Sequence, residues 1–154
     1  MKTLAAAITI CACLMVSVFA DQGQTYSSRS AVNTRFAPLD VYIDSAQNEL
    51  AVFQFELRTE RGDVEIVGIE GGEHAAFAEA PYYDPAALAN DRVIIAAFST
   101  GDDLPTGRTR VATLHLMISG EVEPEYALDL SVAGDADAEE VSAQISYEKR
   151  RPAK

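Results

Sequence analysis

Three acidic side chains, Asp135, Asp137 and Glu139, stand at i, i+2 and i+4. Calcium loops open with that spacing, because alternate residues of a tight loop can turn their oxygens onto one hard cation. The pattern then breaks. A helix–loop–helix site wants glycine at its sixth position and a bidentate glutamate at its twelfth, where this chain has Glu140 and Ser146. The three acids are therefore a candidate surface calcium site at an acidic turn, and no cofactor is expected. Asp102, Asp103, Glu121, Glu123 and Glu125 are the carboxylates from which glycoside hydrolysis could be built, since that chemistry needs two acids about 5 to 9 Å apart. Nothing in their spacing sets two of them across a cleft, so the chain is not expected to be an enzyme. His74 and His115, the two histidines, lack the spacing of metal ligands. No serine has a Gly-x-Ser-x-Gly context, and no glycine-rich phosphate loop is present. Tyr82, Tyr83 and Asp84 are the candidate ligand-binding residues. Aromatic faces grip sugar rings and anchor protein interfaces, although a tyrosine pair held between Pro81 and Pro85 can also pin its own segment against the fold.

The elements that must position these residues are strands. In Glu49 to Arg58, Val52, Gln54 and Glu56 share one face while Phe53, Phe55 and Leu57 share the other, the period-two alternation of a half-buried strand. Arg110 to Ser119, within a strand expected from Arg108 to Ser119, repeats it, with Leu114, Leu116 and Ile118 opposed to Thr113, His115 and Met117. Further strands are expected at Leu39 to Asp44, Asp63 to Glu70, Arg92 to Phe98, Glu125 to Ala133 and Val141 to Glu148. In the last two, Tyr126, Leu128, Leu130 and Val132 are expected to form one buried row, and Val141, Ala143, Ile145 and Tyr147 another. The continuous apolar run Val93 to Phe98 reads as a strand covered on both faces. Glycine and proline punctuate the intervals, at Gly62, Gly71-Gly72, Gly101, Pro105 to Gly107, Gly120 and Gly134, where positive φ or a preset φ makes turns. Short strands at this spacing argue for an all-β sandwich or barrel. One structured excursion, His74 to Asn90, is alanine-rich and carries a helical turn at Asp84 to Leu88, with Asp84 as its cap and Pro85 at its first position.

Charge and processing signals bound the function. Residues 1–20 join Lys2 to an apolar run ending Val18-Phe19-Ala20, a signal peptide with cleavage before Asp21. The run is too short for a membrane span. Cys13 offers an alternative lipidation site, but Cys11 is an odd occupant of that motif and the cut after Ala20 is cleaner. Both cysteines lie in the signal, so a secreted or periplasmic product would have no disulfide and would rest on its apolar core. Residues 21–35 read as a flexible lead-in, 36–148 as one domain and 149–154 as a basic, solvated tail. Of the 24 acidic and 12 basic side chains, cleavage removes only Lys2. A strongly acidic chain whose basic residues cluster only at Lys149, Arg150, Arg151 and Lys154 is not expected to bind nucleic acid.

The order of these parts resembles cohesin-type domains, within the carbohydrate-binding-module-like β-sandwich superfamily. It rests on the Phe-Gln-Phe strand at Leu50 to Leu57, the valine and isoleucine strand ending in glycines at Val64 to Gly72, and the proline and tyrosine excursion before a strand ending Ala-Phe. Leu104-Pro105-Thr106-Gly107 then feeds Val111 to Ile118. The resemblance implies a jelly-roll sandwich of about nine strands, working as an exported non-catalytic module that binds an extracellular protein, dockerin-like or other. The alternative is a module that recognises a polysaccharide.

Overall fold

The computed structural model describes residues 33–150. The expected export signal, the expected lead-in up to residue 32 and residues 151–154 of the tail lie outside the described residues. Eight strands form two four-stranded antiparallel sheets: β1 (Thr34–Asp44), β2 (Val52–Arg61), β3 (Asp63–Gly71), β4 (Tyr82–Tyr83), β5 (Arg92–Phe98), β6 (Arg108–Ser119), β7 (Glu125–Gly134) and β8 (Gln144–Lys149). One sheet runs β3-β6-β1-β8 and the other β4-β5-β2-β7. Eight described strands is one fewer than the resemblance implies. Seven are the strands expected from alternation, and the eighth is the two-residue β4, kept short by the prolines on either side, which cannot donate to a ladder. β1 opens at Thr34, two residues ahead of the expected domain start at Phe36.

The two inner faces make the core. Leu39, Val41 and Ile43 of β1 and Leu114, Leu116 and Ile118 of β6 meet Phe53, Phe55 and Leu57 of β2 and Val93 and Ile95 of β5, all buried. Burial follows the period-two pattern because successive side chains of a pleated strand point to opposite faces. One margin of the sandwich is closed by β7 and β8, where the Tyr126 and Tyr147 rings meet edge to face at 5.5 Å. The excursion closes the other. Its first 3-10 turn, Ala75–Phe77, drives Phe77 into the core edge-on to Phe53, centroids 5.0 Å apart. Its second, Pro85–Ala87, has Asp84 as the cap and Pro85 inside its start, as expected.

Three expectations are corrected. β5 is not covered on both faces: Val93 and Ile95 are buried, while Ile94 and Phe98 stand on the outer face 47% and 60% exposed. In β7 the buried row does not continue to Val132. Gln54 pairs with Val132 but Phe55 pairs with Leu130, so Ser131 is an extra residue. Such a bulge changes the phase of the strand by one, turning Ala133 inward and leaving Val132 41% exposed. The basic stretch is not simply solvated where it is described. Lys149 donates to the Pro124 carbonyl at 2.6 Å, and Arg150 binds both carboxylate oxygens of Asp40, at 2.6 and 2.8 Å from Nη2.

Candidate functional site

The outer face of the β4-β5-β2-β7 sheet carries the candidate site. Register places Tyr82 opposite Ala96, Ala96 opposite Gln54 and Gln54 opposite Val132 in one rung. Phe98, Val52 and Gly134 form the next rung on that face, and Ile94, Glu56 and Asp129 the one below. Tyr82 and Phe98 are thus diagonal neighbours across β4 and β5, a pairing within reach of large rings. Their rings lie 6.0 Å apart and within 5° of parallel. Ala96 between them is too small to shield either ring, and Tyr82 remains 68% exposed.

Tyr82 is a wall shared by two grooves. One, of about 490 Å³, runs along Tyr82, Tyr83, Asp84, Arg92, Ile94 and Ala96. The other, of about 390 Å³, includes Phe77, Glu79, Pro81, Tyr82 and Phe98. All three sequence-selected residues therefore line the first groove, but with different duties. Tyr83 is half-buried and packs against the core. Asp84 uses Oδ1 to accept the Ala86 N–H at 2.9 Å, capping the second turn. Only Tyr82 presents its ring outward.

Below the rings the charges are matched. Arg92 Nη2 lies 2.6 Å from Glu56, and Arg58 is 3.6 Å from Glu56 and 3.8 Å from Glu60. The Arg92 hydrogen bond outweighs burial and, with the Arg92 and Arg58 charges, holds Glu56 below the usual carboxylate range. The same bond raises Arg92.

The other candidates are placed elsewhere. Asp135 Oδ1 accepts the N–H groups of Asp137, at 3.0 Å, and Glu139, at 2.9 Å, around Ala138 at positive φ. This is the side-chain-to-backbone bonding that tightens an acidic turn. Among the described residues, no group of three or more His, Cys, Asp or Glu side chains is arranged to hold a metal. His74 Nδ1 accepts the Ala76 N–H at 3.2 Å, capping the first turn. His115 Nε2 lies 3.0 Å from Glu70 on the outer face of the other sheet.

Sequence reasoning missed Phe98, Ile94 and Val132. The first two sit in an apolar run that carries no sign of which side is open, and the third is exposed by a bulge that no local residue type announces. No helix among the described residues is long and apolar enough to cross a membrane. Comparison with protein-family models, with curated proteins and with solved structures found no match.

Proposed function

We propose that this chain is an exported, non-catalytic binding module that takes a protein partner on the outer face of the β4-β5-β2-β7 sheet. The observation that carries the reading is the exposed Tyr82–Phe98 stack, flanked by Ile94 and Val132. An apolar, aromatic centre with a charged rim is the composition of protein interfaces, whose binding energy concentrates in a few large side chains. A sugar platform needs open ring faces beside free polar groups. Here each ring turns one face to the other, and Glu56 and Arg92, lower on the same face, are satisfied by mutual contact.

β1 pairs with β8, β2 with β7, β3 with β6 and β4 with β5, so the strands pair as though the chain were one long hairpin rolled into two sheets. That pattern supports a jelly roll and agrees with a cohesin-like module, in which no side chain has a catalytic role.

The test uses the mature chain and a Tyr82→Ala, Phe98→Ala double variant. The wild-type protein is expected to cross-link a discrete protein in the native secretome, to show no retention on cellulose, chitin or xylan, and to lose the cross-linked partner in the double variant. Retention on a polysaccharide that the double variant abolishes would replace this reading with the glycan-binding one.

A further inference from the structure

We infer that the partner segment received beside Tyr82 and Phe98 is basic, an apolar anchor flanked by lysine or arginine; this rests on the binding reading above. The loops at the Phe98 end of the sandwich are tied together by backbone bonds: Ser45 N–H to the Gly107 carbonyl at 3.2 Å, Leu50 to Pro105 at 2.9 Å, Ala51 to Gly134 at 2.8 Å and Ser99 to Ala51 at 2.8 Å. Carboxylates gather there. Glu79 lines the groove that holds Tyr82 and Phe98. Glu139 and Glu140 line a second groove, of about 340 Å³, with Val52 and Val132. Since Val52 is the register partner of Phe98, the apolar strip from Tyr82 through Phe98 and Val52 to Val132 has acids at both of its ends.

Those acids differ from Glu56 and Glu60 lower on the same face, although Asp129, in the Glu56 rung, also has no cationic partner among the described residues. Glu56 and Glu60 are matched by Arg92 and Arg58, whereas none of Glu79, Glu139 and Glu140 has a cationic partner among the described residues. Unpaired carboxylates bordering an apolar strip raise the local concentration of cations and repel an acidic partner before contact. Apolar anchoring selects for shape, and the acids at each end select for charge.

Two synthetic peptides with the same leucine and phenylalanine centre, one flanked by lysines and one by glutamates, test this by fluorescence anisotropy on the full mature chain. The lysine-flanked peptide is expected to bind, to weaken about tenfold between about 0.05 and 0.2 M salt, and to lose binding in the Tyr82→Ala, Phe98→Ala variant. A Glu79→Gln, Glu139→Gln, Glu140→Gln variant, its fold checked by circular dichroism, is expected to bind it about tenfold more weakly. Equal binding of the two peptides, binding that survives loss of both rings, or no binding of either overturns the inference. So does a concentration-dependent dimer abolished by the ring variant, which makes a second copy the occupant. If the lysine-flanked peptide fails while the ring variant still loses its secretome partner, the charge inference falls and the binding face stands; if the ring variant keeps that partner, the binding face itself falls.

Discussion

Asp40 shows how a single carboxylate can be buried. It is 6% exposed on β1, and it accepts from Thr113 Oγ1 at 2.7 Å and from Arg150. Burial alone would raise its pKa. The hydrogen bonds from Arg150 and Thr113, with the Arg150 and Arg110 charges, more than offset that and hold it below the usual carboxylate range. A depressed carboxylate stabilises the fold fully above its unfolded pKa, about 3.9, and loses that contribution as pH falls through the folded value. Arg150→Ala is therefore expected to lower stability by about 1–3 kcal/mol at pH 7, with the deficit against wild type shrinking in urea titrations as pH falls below about 3.9. Tyr126 acts at the opposite limit. Burial, followed by the Glu123 charge, pushes its phenol up to about 12. The fold thus favours the neutral ring, so stability is intact below about pH 10 and declines as pH rises from there toward about 12. Tyr126→Phe is expected to flatten that alkaline decline in thermal unfolding; a decline of unchanged size would assign it to other groups.

At the scale of elements, the strands were readable where one face is buried and the chain is regular. β5 and β6 match their expected bounds, and β2 buries the faces its alternation assigns. What could not be read depends on partners. The openness of β5 is decided by which strand lies beside it and what covers the sheet, and Val132 is placed by the Ser131 bulge against β2. The candidate site was legible to the same degree: Tyr82 was visible as an aromatic in a proline-bounded excursion, but its neighbour Phe98 is supplied by pairing between elements. Gly71 and Gly72 make the same point. They read as turn glycines, yet among the described glycines positive φ belongs to Gly62, Gly107 and Gly120. Gly71 and Gly72 are needed because a Cβ on the first would collide with the Ala78 carbonyl and on the second with the Arg110 carbonyl. They let the excursion return tightly across the end of β3 and the start of β6, where Gly72 N–H donates to the Phe77 carbonyl at 2.7 Å. Gly72→Ala is expected to cost about 1–3 kcal/mol by overpacking against backbone, read as a lowered urea midpoint. Gly120→Ala meets no atom within 4 Å, so its smaller loss would come from φ strain alone.

For the whole molecule, charge is the least balanced quantity: 24 acidic side chains oppose 12 basic ones. The described cations are largely engaged locally, Arg35 with Glu123, Arg61 with Glu125 and Arg108 with Glu148, which leaves the Phe98 end with unpaired acids. Like charges fixed close together in the folded state repel more than in an expanded chain, so the fold carries an electrostatic strain that salt relieves. Screening acts over about 30 Å at 0.01 M and about 8 Å at 0.15 M ionic strength, a range that spans the separations between loops at one end of a small sandwich. Raising sodium chloride from about 0.01 to 0.15 M is therefore expected to raise the melting temperature by a few degrees, since about 1 kcal/mol moves a domain of this size by roughly that much. The surface ion pairs work in the other direction, because salt weakens them, but each exposed pair is worth only about 0–1 kcal/mol. The two effects separate by substitution. In the Glu79→Gln, Glu139→Gln, Glu140→Gln variant the melting temperature at low salt should rise and its increment with salt should shrink. An unchanged increment would place the repulsion elsewhere on the surface and remove the physical reason for expecting a cationic partner at this end.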